Sequence, residues 1–419
     1  MSAATGAAAE RPAGPWRAAV VCFLPFAVGY FISFIFRTIN AVAGPDIAGE
    51  LGLDATRLGL VTGAYFLAFA AMQLPVGMAL DRFGPRRVEA TLLLAAAFGA
   101  LVFAQADGLT GLTLGRALLG VGVSGCLMAA IKANVLFWPR EKLPLLNGLI
   151  MAFGGLGATA AALPVEWLLQ ASGWRTVFML LAIPTTVIAA AIFFIVPERS
   201  VEEHTTLREL LRGLGSIYRS RVFWRIAPSA AIGQAVFMAY HSLWAGIWLR
   251  DVVALERGEV AAQLSLFAIA MIPSYVFGGA LTGALMRRGL APHAIFAGFV
   301  AAYMAVQAAI LVQPGQPLLW IAYSLTGTGM VLSFALLTPS FATALAGRVN
   351  TALNLQVFVI AFLIQTGIGA LVTLFVADGA GAAAGHRLAL AVLLALQGIA
   401  FAWLILPRRM ASESSGSRS

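Results

Sequence analysis

Three cationic side chains interrupt long apolar runs in this sequence: Arg37, Arg116 and Lys132. A charge at the centre of a membrane helix costs about 2.5 to 3.5 kcal/mol on insertion scales, so each cation needs a partner, a cavity or a route to the membrane surface. A guanidinium offers forked donors that match a carboxylate or a phosphate. The pattern therefore indicates an anion site inside a membrane protein.

Arg37 is part of a polar stripe on the first apolar run. Tyr30, Ser33, Arg37 and Asn40 recur at helical spacing and share one face. We expect this stripe to line water and Arg37 to contact the substrate. The alternative is a structural arginine that bonds to neighbouring carbonyl oxygens or reaches the nearby interface.

Lys132 lies on the side of its helix that faces away from Arg116, close to the polar turn at Trp138. A long alkyl stem lets a lysine extend its amine to the membrane surface. We therefore expect Lys132 to reach the interface and not a binding site.

The chain has 419 residues, 60% of them hydrophobic and 11% charged, whereas about 25% charge is usual in soluble domains. A helical span needs about 20 apolar residues. Twelve such runs are present, and strands would alternate in polarity over much shorter lengths. The sequence thus predicts an all-α membrane protein with spans near 17–43, 57–80, 88–106, 109–136, 144–167, 175–196, 223–249, 259–285, 291–312, 317–345, 351–377 and 387–406.

The polar stretch 197–222 divides the chain into two halves of six spans. The predicted organisation is a disordered N-terminus 1–16, a first bundle 17–196, a linker 197–222 with a surface helix, a second bundle 223–406 and a disordered C-terminus 407–419. The first span is expected to remain uncleaved.

Cys22 and Cys126 lie in apolar runs, so they are expected to be packing residues without a disulfide.

The net charge of +9 is explained by basic residues in the loops on one side of the membrane. If both termini are cytoplasmic, most of the 27 Lys and Arg residues fall on the cytoplasmic side. We expect a multi-pass protein of the plasma (inner) membrane with this orientation, and no nucleic-acid partner.

The two halves resemble each other. Gly120-Val121-Gly122 and Gly327-Thr328-Gly329 are separated by nearly the same offset as Gly84 and Gly289, which indicates a duplicated six-span unit. The same offset places His241 of span seven opposite Arg37. His241 is expected to bind substrate or a proton; the alternative is a hydrogen-bonded core histidine.

The loop between spans two and three resembles the signature loop of the major facilitator superfamily, G-x-x-x-D-R-x-G-x-R-R. Arg116-Ala-Leu-Leu-Gly120-Val-Gly122 and Gly173-Trp174-Arg175 resemble further motifs of that family. The resemblance implies two six-helix bundles around a central cavity that opens alternately to either side. It also implies conformational gating roles for one set of residues: Gly77, Asp81, Arg82, Gly84, Arg86 and Arg116, the last tying span four to its neighbours.

Arg37-Thr38-Ile39-Asn40 resembles the R-x-x-N of organic-anion branches, in which the arginine contacts substrate. Many symporters of those branches carry Glu where this chain has Val123, which argues against proton coupling at that position. All Asp and Glu residues are expected in loops, tails or span ends, with Glu166 at the outer interface. Further substrate-binding candidates are polar or aromatic: Gln234, Trp244, Tyr65, Tyr323 and Asn354.

The function that fits best is secondary active transport of a small organic anion by alternating access. An exporter of amphipathic drug-like compounds is the alternative, and a non-transporting sensor on the same fold ranks third. We expect no enzyme activity, cofactor or metal. The expected partners are a small molecule, a coupling proton or exchange anion, and the lipid bilayer around a monomer.

Overall fold

The computed structural model describes residues 19–198, 207–342 and 345–406. The tails predicted to be disordered, 1–16 and 407–419, lie outside the described residues, as does 199–206 of the linker. The described part of the chain is helical and contains no strand. This architecture confirms the predicted all-α fold class.

Ten helical stretches of the described chain are apolar and long enough to cross a membrane. Two of these stretches, Ala55–Ala104 and Arg140–Ile195, each turn sharply at one glycine with positive φ. Gly84 has φ 74° and Gly173 has φ 75°, a conformation in which a Cβ is disfavoured. Each turn separates two spans, so the described residues form twelve spans.

Span one consists of Leu24–Thr38 and its continuation Asn40–Leu51. Spans two and three are the two parts of Ala55–Ala104 on either side of Gly84. Span four is interrupted, as Leu109–Val123 and Cys126–Phe137. Span five comprises Leu143–Ala160 and the part of Leu163–Ile195 before Gly173, and the remainder of that helix is span six.

The second half begins with the linker helix Leu207–Tyr218. Span seven contains a π-helical turn, Tyr240–Trp244, between Arg221–Ala239 and Ala245–Asp251. Span ten is also irregular, with Pro317–Gly327, the tight turn Thr328–Val331 and Leu332–Leu337. The remaining spans are regular helices: Arg257–Arg287, Pro292–Val312, Ala346–Ala377 and Ala382–Ile405 for spans eight, nine, eleven and twelve.

The two bundles meet along spans two and eleven and along spans five and eight. Small residues allow this close approach, because a Cβ on Gly246 would lie 2.0 Å from the carbonyl oxygen of Ala41 in the other bundle. The linker helix packs on span eleven, where the Tyr218 hydroxyl donates to the Ala352 carbonyl at 3.0 Å. We call the membrane side that carries this helix the linker face and the other side the opposite face.

Candidate functional site

Arg37 lies in a cage of three aromatic rings. Its guanidinium carbon is 4.6 Å from the ring centre of Phe34, 5.6 Å from that of Phe69 and 5.8 Å from that of Phe358. These rings belong to spans one, two and eleven, so both bundles contribute to the cage. Ring faces attract a cation but supply no hydrogen-bond acceptor for its N–H groups.

The donors of Arg37 are incompletely used. Its Nε is buried and has no hydrogen-bond partner. The hydroxyl of Tyr65 lies within electrostatic reach of Arg37 and is also buried, and it has no partner at hydrogen-bond geometry either. Arg37 nevertheless keeps partial exposure, although it lies midway through span one. The arrangement places a positive charge with an unpaired Nε where rings of both bundles meet.

The structure corrects the expectation that the whole stripe of span one lines water. Ser33 and Asn40 are fully buried. Ser33 donates to the carbonyl of Tyr30 at 2.7 Å, and Asn40 donates to Thr62 of span two at 2.9 Å. Tyr30 is almost buried, with its hydroxyl 3.8 Å from the sulfur of Met151. Packing between neighbouring spans uses these polar groups, which leaves Arg37 as the partly exposed member.

His241 lies close enough to Arg37 to experience its charge. Its ring stacks on Phe237 at 5.6 Å and meets Phe267 edge-on at 4.9 Å. The π-helical turn of span seven carries this residue. The same charge also reaches Tyr30, Tyr65 and Tyr275, so Arg37 is the electrostatic centre of a group drawn from four spans.

The other substrate-binding candidates make mainly structural contacts. Gln234 donates to Ser333 at 3.3 Å, Trp244 to the carbonyl of Gln365 at 3.2 Å and Tyr323 to that of Val236 at 3.3 Å. These three bonds lie within the second bundle. Asn354 instead crosses between bundles and donates to Gln73 at 2.7 Å. Tyr65 packs edge-on against Phe66 and stacks on Phe69 beside the cage.

The signature loop is anchored within the first bundle. Asp81 accepts from Lys132 of span four at 2.5 Å, so the amine of Lys132 ends in an ion pair with this loop. Arg86 donates to the carbonyl of Phe193 at 2.7 Å, and Arg87 pairs with Glu198. The turn between Asp81 and Arg86 is made by Gly84, while Gly77 and Arg82 flank it and Arg82 covers Phe83.

Arg116 is fully buried and donates to the carbonyl of Phe36 at 2.8 Å. Its guanidinium also covers the ring of Tyr65 at 5.2 Å. Span four is thereby tied to spans one and two next to the Arg37 cage, which is the arrangement that the resemblance implied.

An ion-pair cluster at the opposite face was not predicted. Arg257 of span eight binds both carboxylate oxygens of Asp46, at 2.9 and 2.6 Å, and also pairs with Glu166. Glu166 is fully buried under this contact, so it is enclosed by protein at its end of span five. The cluster joins the bundles, and we call it the opposite-face clamp. Sequence spacing gives no signal for partners so far apart in the chain.

Two further ionisable groups are buried, which the sequence did not indicate. Glu89 lies near the start of span three and is fully buried. His386 of span twelve is also fully buried, 3.6 Å from Asp251. Within the described residues, no group of three His, Cys, Asp or Glu side chains is placed to hold a metal.

Residues 26–364 match the Major Facilitator Superfamily. The probable sulfoacetate transporter SauU of Cupriavidus necator is 29% identical over 274 residues, which are 62% of this chain and 63% of that protein. The hexuronate transporter of Escherichia coli K12 is 23% identical over 253 residues, 56% of this chain and 58% of that protein. The chain thus aligns with less than two thirds of the length of these relatives.

Solved structures share the fold at low sequence identity. A bacterial homolog of the human lysosomal transporter Spinster has a TM-score of 0.75 at 17% identity, covering 93% of this chain and 96% of that one. A D-xylose–proton symporter has a TM-score of 0.71 at 14% identity, covering 92% and 97%. From the family match and these similarities, the chain belongs to the Major Facilitator Superfamily of membrane transporters.

Proposed function

We propose that this protein is a secondary active transporter of a small organic anion and that Arg37 is the anchor of the substrate. The observation that carries the proposal is the caged guanidinium, which belongs to a partly exposed side chain and has a buried Nε without a partner. A charged group held in this way gains most from an anionic ligand, because the ligand supplies both the counter-charge and the missing acceptors.

The cage also suggests the shape of the ligand. Phe34, Phe69 and Phe358 surround the guanidinium with apolar surface, so the anionic group binds Arg37 while a compact body packs against the rings. His241 of the second bundle lies within reach of the charge of Arg37 and is the candidate for a second polar contact. The named substrates of the relatives support this class, since sulfoacetate and hexuronates are small organic anions.

Alternating access follows from how the bundles are joined. At the opposite face the clamp of Arg257 is reinforced by Thr56 and Thr373, whose hydroxyls are 2.9 Å apart, and by the bond from the Leu163 amide to Ser265 at 3.1 Å. We assign the structure to the state closed at that face. Substrate entry or release at the linker face would be followed by rocking of the bundles, opening of the clamp and closure at the linker face.

The orientation is part of the same proposal. The basic signature loop and the linker helix lie on one face, and basic loops favour the cytoplasmic side. We therefore assign the linker face to the cytoplasm of a cell whose plasma (inner) membrane holds the protein. Labelling of a cysteine introduced at exposed Gly49 or exposed Arg140 in intact cells tests the assignment; only the opposite-face site, residue 49, should react with an impermeant reagent.

Binding and flux of chosen anions test the substrate class. Purified protein is screened by thermal unfolding with sulfoacetate, D-glucuronate and L-tartrate, and the ligands that bind are then followed by counterflow in proteoliposomes. A ligand at about 100 times its dissociation constant stabilises the folded protein by about 2.7 kcal/mol. D-glucose is the matched neutral control for D-glucuronate. Equal stabilisation by both sugars, or stabilisation by lipophilic cations instead of anions, would contradict the proposal and favour a drug exporter.

A further inference from the structure

Glu89 is a fully buried carboxylic acid in span three, and both of its oxygens lack a hydrogen-bond partner at bonding geometry. It lies one turn after Gly84, where the chain re-enters the membrane region, and its side chain points into the first bundle. None of the transport steps described above uses this group. A buried polar group without a partner is costly, so such a group calls for a specific explanation.

The surroundings of Glu89 are apolar except on the side that faces Cys126. One carboxyl oxygen is 2.9 Å from the position that a Cβ would take on Gly29 of span one, where Leu93 of span three and Ile192 of span six also converge. The other oxygen faces Gly125 of span four at 3.7 Å from the corresponding position. No charged partner is supplied by these elements, so the neutral, protonated carboxyl is the form that this site accommodates.

The ionisable side chain that faces Glu89 is Cys126 of span four. Cys126 begins the second segment of that span, directly after the interruption at Ser124 and Gly125. The same thiol is within electrostatic reach of Arg37 and Tyr30 on span one. Spans one and four therefore connect the buried acid with the substrate cage, and the interruption gives span four a place to bend.

We propose that Glu89 is a membrane-embedded proton-binding site coupled to the substrate site at Arg37. The inference rests on the proposed function and adds a coupling ion to it. The charge of Arg37 reaches Cys126, the side chain that faces Glu89. An anion that neutralises Arg37 therefore changes the electrostatic surroundings shared by the two sites, so that anion and proton bind more readily together than alone. The proton binds the carboxylate of Glu89 in one state, and the same proton leaves to the other face when span four moves.

Proton movement with the anion is the first measurement. Proteoliposomes loaded with a pH-sensitive dye receive whichever of sulfoacetate, D-glucuronate and L-tartrate gives counterflow, and both anion uptake and internal pH are followed. The wild-type protein should acidify the interior together with anion uptake. E89Q should keep anion counterflow, which needs no net proton transfer, and should reduce proton movement to the level of protein-free vesicles.

E141Q is the matched control, because Glu141 is exposed in the short turn before span five and should behave as wild type. Glu89→Asp keeps a carboxyl but shortens its reach, so proton movement should persist with an altered pH profile. Anion uptake by wild type without proton movement, proton movement by E89Q equal to wild type, or an Asp variant with an unchanged pH profile would each overturn the proposal.

A measurement without substrate separates this inference from the proposed function. Infrared difference spectra of purified protein, wild type minus E89Q, should contain a carboxyl C=O band that titrates with pH. If none of the three anions is transported but the band is present, the anion assignment fails while Glu89 remains a proton site. If an anion is transported and the band is absent, the Glu89 proposal fails alone.

Discussion

Phe69 of span two and Phe358 of span eleven stack with ring centres 3.9 Å apart and an interplanar angle of 14°. The pair joins the two bundles at the level of Arg37, whose guanidinium lies within 6 Å of both ring centres, at 5.6 and 5.8 Å. A substrate held by Arg37 would therefore touch a contact that must change when the bundles rock. Binding and conformational change share these two side chains.

Truncation of the cage should weaken substrate binding. Phe358→Ala removes one wall and its aromatic contact, worth about 0.5 to 1.5 kcal/mol, so we expect affinity for a transported anion to fall about two- to tenfold. Ligand-induced stabilisation of purified protein measures the change. Phe194→Ala, at a ring 78% exposed, is the control. An affinity unchanged by Phe358→Ala would remove the ring from the site.

Replacement of Arg37 should separate the contribution of its charge to anion binding from the contribution of its hydrogen-bond geometry. Arg37→Gln removes charge-assisted hydrogen bonds of about 1.5 to 3 kcal/mol, so anion affinity should fall about 10- to 150-fold. Arg37→Lys keeps the charge but loses the forked donors, and an intermediate loss is expected. Counterflow titrations measure both variants against Arg57→Gln, an exposed arginine paired with its neighbour Asp54. Full affinity in Arg37→Gln would refute the anchor assignment.

Loss of the opposite-face clamp should open that face. Arg257→Gln leaves the buried carboxylate of Glu166 without its ionic partner, a defect that costs about 3 to 5 kcal/mol in buried pairs. Pulsed electron paramagnetic resonance between spin labels at exposed Gly49 and Gly258 should then report longer distances. Arg250→Gln, which removes a pairing with the adjacent Asp251, should leave the distances unchanged. The same distribution in both variants would argue against a clamp.

The pair between Asp81 and Lys132 should act as a unit in transport. Its side chains are only 33% and 21% exposed, and removal of either charge leaves the other uncompensated. We expect Asp81→Asn and Lys132→Gln to lower the maximal transport rate to a similar extent, and the double variant to be no slower than either single one. Asp107→Asn, at a side chain 94% exposed, is the control. Additive losses would show that the two charges act independently.

Local sequence was sufficient to predict the features that depend only on residues close together in the chain. Long apolar runs must become helices in lipid because the backbone has no other way to satisfy its hydrogen bonds. Gly84 and Gly173 mark turns because they adopt positive φ. The repeat also predicted that His241 lies opposite Arg37, since duplicated units related by symmetry bring equivalent positions together.

Contacts between segments far apart in the chain could not be predicted from local sequence. Asn40 shares a helical face with Arg37, yet the neighbouring Thr62 binds it and removes it from the site. Glu166 was assigned to the interface because it lies near a span end, whereas Arg257 of the other bundle covers it. Glu89 also lies near a span end, and only the positions of spans one, four and six show that it is enclosed.

The sequence by itself determined that the chain folds as two related groups of membrane helices with a cationic side chain at depth, because hydrophobic length, glycine turns and periodicity act within single segments. Only the tertiary structure decided which polar groups pair, which remain free and which acid is buried. Those outcomes depend on the distance between side chains from different helices, and helix packing sets that distance.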